Sequence, residues 1–207
     1  ASSSSVYGDA PQFPSQESLR TRPRSPYGVT KRTCEHLAGV YRDLGLETVG
    51  LRYFTVYGPR QRPDMAIRRL CEAAHGGAGY QLFGDGTASR DFTYVLDAVD
   101  ATIRAAVAPS SPSAVLNIGG GEEATMAHVI SLIEGLSGDK LPVQIGAAQP
   151  GDVSRTVADT TWARRQLGWA PTVGLAEGLQ AELDWVGARL ISRAEAGALA
   201  RSNARVA

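Results

Sequence analysis

The 207 residues predict an α/β fold built on a parallel sheet, and three observations carry that prediction. Short strand-like runs, such as Val49 to Phe54 and Val115 to Ile118, alternate with longer segments of helical period. Gly and Pro punctuate the junctions between them. The composition, 43% apolar and 20% charged, is that of a soluble globular protein. The length allows one substantial core, or one core and a small appended lobe.

Taken in order, Ser2 to Ser5 and Val6-Tyr7-Gly8 read as the end of a strand, with nothing before it to supply a domain's first half. Pro11, Pro14, Pro23 and Pro26 mark residues 8 to 26 as an irregular surface loop. Ser25 is a good N-cap and Pro26 is tolerated in a first turn, so a helix opens there. It runs through Val29, Leu37, Val40, Tyr41 and Leu44 until Gly45 stops it, and that apolar stripe predicts a buried face. Glu47 to Phe54 reads as a buried strand, and Thr55 to Pro59 as a turn.

A helix over 66–75 leads through a Gly-rich stop to a strand, Tyr80 to Phe83, and the turn Gly84-Asp85-Gly86. The strand Arg90 to Val95 feeds a helix over 96–107, ended by Pro109 and Pro112. After the strand Val115 to Ile118, Gly119-Gly120-Gly121 lacks phosphate-cradle spacing and precedes two glutamates, so it reads as a plain turn into a helix over 125–135. A strand over 142–145, a loop over 149–153 and a short helix ending at Leu167-Gly168-Trp169 come next. The final helix starts near Leu175; the tail from Ile191 to Ala207 extends it, frays, or lies outside the natural domain.

Balanced charge, with 21 basic and 21 acidic residues, gives no support for non-specific nucleic-acid binding. Cys34 and Cys71 have no metal-ligand spacing and read as buried free thiols, and the three histidines are scattered, so no metal site is assigned. No apolar run reaches membrane-span length, and the N-terminus has no signal core. A cytoplasmic protein without a membrane partner is expected.

Tyr27 and Lys31 are four apart, so on a helix both project from one face. An ammonium beside a phenol favours the phenolate and makes the pair a usable proton acceptor. A Ser hydroxyl from the preceding strand end can bridge such a Tyr to a substrate hydroxyl. Hydride removal from a carbinol carbon needs this arrangement, because the O–H proton must leave as well. Arg60 and Arg62 follow a strand's carboxyl end, where open α/β sheets bind ligands. They read either as phosphate or carboxylate ligands or as a solvated basic loop.

The Ser cluster, Val6-Tyr7-Gly8 and Ser25-Pro26-Tyr27-Gly28 together resemble the extended short-chain dehydrogenase/reductase family, in its branch of nucleotide-sugar epimerases and dehydratases. The similarity continues in order through Leu51-Arg52-Tyr53-Phe54, Arg62-Pro63-Asp64-Met65, Phe83-Gly84-Asp85-Gly86, Arg90 to Val95, Pro150-Gly151-Asp152 and Leu167-Gly168-Trp169. It implies a Rossmann-like doubly wound parallel sheet, of which this chain is the C-terminal part, plus a small α/β substrate-binding lobe. The implied division is 1–60 for the remnant of the dinucleotide-binding domain, 61–190 mainly for the UDP-sugar lobe, and 191–207 for the tail. The implied reaction is 4-epimerisation of a UDP-sugar with tightly bound NAD.

On this resemblance Tyr27 is the general base and acid, Lys31 assists it and holds the nicotinamide ribose, and Ser3 bonds the 4-oxygen, with the neighbouring serines leaving that assignment open by one residue. Tyr53 and Phe54 lie below the nicotinamide. Met65, Phe83, Arg90 and Asp152 belong to the UDP-sugar site. Ser5 stands where related dehydratases have an acid, and a hydroxyl cannot be the general acid that dehydration requires. Thr55, Gln149 and the run through Met65 resemble the UDP-glucuronate 4-epimerase subgroup, where Ser4 or Ser5, Thr55 and Arg62 would meet a C6 carboxylate. UDP-glucose or UDP-N-acetylhexosamine epimerisation, or nucleotide-sugar binding without catalysis, are the alternatives. The family's Gly-rich first turn is absent from this sequence, so a separate N-terminal NAD-binding polypeptide is an expected partner and the 207 residues alone are expected to be inactive. A homodimer is expected of the complete protein.

Overall fold

The computed structural model describes residues 1–108, 114–148 and 152–203, with residues 193–203 as backbone only. Three parallel strands form the first sheet: β1 (Ser2–Ser3) at one edge, β2 (Gly50–Tyr53) in the centre and β6 (Val115–Ile118) beyond it. Parallel neighbours need crossovers. The first runs through α1 (Pro26–Asp43); the second passes through a lobe and includes α3 (Val95–Ala106).

Side chains alternate across this sheet. Leu51, Leu116 and Ile118 pack with α3, α5 (Thr161–Leu167) and Trp169 in an apolar cluster. The opposite face is polar. Arg52 donates from Nε and Nη2 to the two carboxylate oxygens of Glu35 on α1, at 2.8 and 2.9 Å, and from Nη1 to the Tyr7 hydroxyl at 2.9 Å. Tyr7 in turn donates to Asn117 Oδ1 at 2.7 Å, the Asn117 N–H donates to Glu17 at 2.8 Å, and Ser2 Oγ donates to Glu35 at 2.6 Å. Burial alone would push the Glu35 carboxyl up; the hydrogen bonds from Arg52 and Ser2 overcome it and hold the group at about 2. Buried charge is tolerated here because every partner is supplied.

That polar face explains a correction. The apolar stripe of α1 does not form a buried face: Val29, Leu37, Val40, Tyr41 and Leu44 are all exposed, as is Cys34, while Gly28 and Glu35 are the helix's buried residues. A sheet face carrying Arg52 and Ser2 recruits a carboxylate, so the helix turns its polar side inward. Cys71 is buried as expected.

β2 starts at Gly50 rather than Glu47, level with the first residue of its partner, Val115. Thr55–Tyr57, expected as a turn, is instead a strand, β3. After the single residue Phe54 the chain leaves the first sheet and pairs in parallel with β5 (Ser89–Tyr94), which also pairs antiparallel with β7 (Glu122–Thr125). β7 was hidden because Glu122 and Glu123 carry no strand signal; Glu123 is fixed by Arg155 at 2.7 Å, a tertiary contact. β4 (Tyr80–Phe83) and β8 (Val143–Gly146) form a small parallel pair. The lobe's core joins α2 (Ala66–Ala74), α4 (Met126–Ser137) and α6 (Leu175–Asn203) around Leu70, Ile133 and Leu179.

Candidate active site

The site collects at the carboxyl ends of β1 and β2 and the amino ends of β3 and β5. Ser25 Oγ accepts from the Gly28 N–H at 3.1 Å and caps α1, with Pro26 in its first turn. Gly28 is needed for close approach: a Cβ there would lie 2.6 Å from the Ser5 carbonyl oxygen. The start of α1 therefore abuts the single 3₁₀ turn Ser4–Val6 that follows β1. Ser3 Oγ accepts from the Ser5 N–H at 3.1 Å and donates to Ser5 Oγ at 3.2 Å. Because Ser2 is committed to Glu35, the hydroxyls left for ligand chemistry are those of Ser3, Ser4 and Ser5.

Tyr27 and Lys31 share a face of α1 as their spacing predicts. The Lys31 Nζ lies 5.7 Å from the Tyr27 ring centroid and donates to the Ala1 carbonyl at 3.2 Å, and Tyr27 is 54% exposed. Beside them is a polar cavity of about 250 Å³. Ser4, Ser5, Thr55, Arg90 and Asp152, scattered over the sequence, all line it.

The far wall is held by Asp91. Its buried carboxylate accepts from the Gly120 N–H at 2.7 Å and the Ala158 N–H at 2.8 Å, tying β5 to the exit of β6 and to the returning chain. Burial pushes this carboxyl up to about 6 despite those donors. The neighbouring Arg90 donates from Nη2 to Asp152 at 2.6 Å and from Nη1 to the Ser89 carbonyl at 2.9 Å.

Other predicted site residues lie elsewhere. Arg62 is exposed outside the cavity, donating to Asp64 at 3.1 Å with Met65 Sδ at 3.6 Å. Phe83, 41% exposed, sits on the β4–β8 pair. The Tyr53 hydroxyl is 2.6 Å from Thr102 Oγ1. Phe54 is buried against Val6, Tyr7 and Ala158. Gln149 falls outside the described residues, as do Pro150 and Gly151. Sequence reasoning missed Arg24 and Thr156, which also line the cavity; Arg24's only signal was its place just before the Ser25-Pro26 cap. Among the described residues no cluster of His, Cys, Asp and Glu could hold a metal ion, and no helix is long and apolar enough to cross a membrane.

The pattern of the NAD dependent epimerase/dehydratase family matches residues 1–119, more than half of the chain. The chain belongs to this family. It is 43% identical over 187 residues to an uncharacterised UDP-glucose epimerase of Bacillus subtilis, covering 90% of this chain and 59% of that one. It is 38% identical to a UDP-glucuronate 4-epimerase of Thermodesulfobacterium geofontis, covering 89% of this chain and 57% of that one. The structure of a UDP-glucuronic acid 4-epimerase from Bacillus cereus, in complex with UDP-glucuronic acid and NAD, superposes with a TM-score of 0.86 at 43% identity, over 90% of this chain and 60% of that one. The fold is thus the expected one, part of a Rossmann-like α/β architecture. The chain spans about three fifths of the length of these relatives.

Proposed function

We propose that the chain is the catalytic and substrate-binding part of an NAD-dependent UDP-sugar 4-epimerase whose substrate is UDP-glucuronate. One observation carries this: Ser4, Ser5, Thr55, Arg90 and Asp152, each assigned to a UDP-sugar from sequence, meet in one polar cavity at the start of the helix that bears Tyr27 and Lys31. The hydroxyl and guanidinium donors grouped in this mainly polar cavity suit an anionic nucleotide sugar.

In this reading Tyr27 takes and returns the proton of the sugar's 4-hydroxyl. Lys31, with its Nζ 5.7 Å from the Tyr27 ring centroid, places a positive charge beside the tyrosine and so favours the phenolate as proton acceptor. The Ser3 hydroxyl, oriented by Ser5, bonds the 4-oxygen. Ser4, Ser5 and Thr55 hold the C6 carboxylate in the ring plane, which guards a β-keto acid against loss of CO2. Bound NAD supplies the hydride exchange at C4. The residues present fit its nicotinamide end, because Tyr27 is exposed on α1 with Lys31 beside it on the same helix face. The remaining contacts belong to a dinucleotide-binding half; residues 1–60 are the part of that domain found here, 61–190 mainly the sugar lobe and 191–207 the tail. Homodimerisation of the complete protein and a cytoplasmic location complete the reading.

Calorimetric titration with UDP, UDP-glucuronate and NAD is the first test, followed by product analysis with and without an added N-terminal NAD-binding polypeptide. Binding of UDP-glucuronate, with turnover only when that polypeptide is supplied, is expected. Failure to bind UDP overturns the reading. Turnover by the 207 residues alone overturns the need for a second half. The relative from Bacillus subtilis favours UDP-glucose as the second reading, and UDP-galactose as product would establish it. UDP binding that never leads to turnover would leave a nucleotide-sugar-binding module.

A further inference from the structure

We propose that Arg24 is the residue that selects an acidic sugar over a neutral one, by receiving the sugar carboxylate inside the polar cavity; this rests on the reading above. Two arginines line that cavity, Arg24 from the loop before α1 and Arg90 from β5. Each is paired with an acid from a distant segment, Arg24 with Asp9 and Arg90 with Asp152. Arg24 and Asp9 are both more than half exposed, at 57% and 51%, and an exposed pair of this kind exchanges partners at little cost, whereas Arg90 is only 17% exposed. The cavity is therefore a two-cation site in which the counterion of Arg24 is replaceable.

A nucleoside diphosphate linked to an uncharged sugar presents anionic charge at one end and needs one of these cations. A nucleoside diphosphate linked to a uronate presents it at both ends and uses two. Arg24 belongs to the reacting end: it lies three residues before Tyr27 and beside the Ser25 cap, and Ser4 and Ser5 line the same cavity. Planar guanidinium and carboxylate groups pair through two hydrogen bonds, with the hydroxyls filling the remaining lone pairs. Arg62, the cation that the sequence suggested for this role, is outside the cavity and paired with Asp64.

The position of Arg24 is built into the backbone. Gly8 has φ +62, and a Cβ there would lie 2.0 Å from the Arg22 carbonyl oxygen and 3.2 Å from Arg24 Cγ. A glycine lets the 22–24 segment lie against the turn after β1, and this lays the Arg24 stem along the cavity.

The test is calorimetry of the 207-residue chain and its Arg24→Gln variant with UDP, UDP-glucose and UDP-glucuronate. Arg24→Gln should weaken UDP-glucuronate about tenfold or more, as loss of a charge-assisted pair implies, and change UDP and UDP-glucose less than about twofold. Asp9→Asn, which removes the competing counterion, should tighten UDP-glucuronate alone. An equal loss for all three ligands, or no loss for UDP-glucuronate, overturns the assignment of Arg24. If the unmodified chain itself shows no preference for UDP-glucuronate over UDP-glucose, the uronate reading fails first, and that result is distinct from a preference that survives Arg24→Gln. Arg24 is exposed, so unchanged thermal midpoints of the ligand-free variants are expected and separate binding from folding.

Discussion

In α2, Ile67, Leu70 and Cys71 are buried among α4 and α6, whereas in α1 Val29, Leu37, Val40 and Tyr41 are more than half exposed and the buried side chain is that of Glu35. Both helices are amphipathic by sequence. One is held by apolar packing and the other by a bidentate ion pair backed by Ser2 and Tyr7. The contrast teaches that period identifies a helix's apolar side, while the surface it meets decides which side goes in. The first sheet meets α1 with Arg52 and Ser2, and only polar side chains can satisfy that face.

The contrast can be broken most directly at the ion pair. Glu35→Ala leaves Arg52 buried without its counterion and should cost about 3–5 kcal/mol in urea unfolding. A cost near zero would mean that α1 is held by something else. At the apolar helix, Leu70→Ala should cost about 3 kcal/mol through lost burial and a residual cavity.

A third prediction uses two of the buried carboxylates, Glu35 and Glu182. Glu35 has its cation; Glu182 on α6 accepts from the Gly58 N–H at 2.8 Å, but its Oε1 has no hydrogen-bond partner. Burial pushes Glu182 up to about 7 from an unfolded value near 4.5. Between those values the folded state binds the extra proton, so its contribution is full below about pH 4.5 and is lost as pH rises through about 7. Glu182→Gln keeps an acceptor for Gly58 and should flatten the stability profile over that window by roughly 2 kcal/mol. Glu35 acts in the opposite sense: its carboxyl is held at about 2, so its contribution is present above about 4.5 and lost as pH falls through about 2. An unchanged slope between pH 5 and 8 in Glu182→Gln would remove Glu182 from this account.

The smallest effect is expected on the outer face of α1. Leu37→Ser and Val40→Ser should change the stability of the 207-residue chain by no more than about 0.5 kcal/mol. A loss as large as that of Leu70→Ala would show that this stripe is covered in solution.

The alternation of strands and helices, the Ser25 cap and the Tyr27/Lys31 face were legible because each is a local signal written in consecutive residues. β3 and β7 were not, since Thr55–Tyr57 and Glu122–Thr125 become strands only through pairing with β5. At the site, Ser4, Ser5, Thr55, Arg90 and Asp152 came from motif resemblance and converge in space. Arg24 did not, because a single cation in a Pro-rich loop looks like any solvated arginine until Gly8 is seen to let it in. The Glu35–Arg52 pair was equally silent, 17 residues apart with nothing in the spacing to join them.

That pair also fixes an angle. An apolar helix face can roll on its neighbour with little change in buried area, but a guanidinium bonded to both oxygens of a carboxylate holds the helix at one rotation about its axis. At 3.6 residues per turn, Lys31 and Tyr27 lie about 40° and about 80° around the axis from Glu35. The azimuth at which Tyr27 presents its hydroxyl is thus set two turns away, by a charge pair between the helix and the sheet.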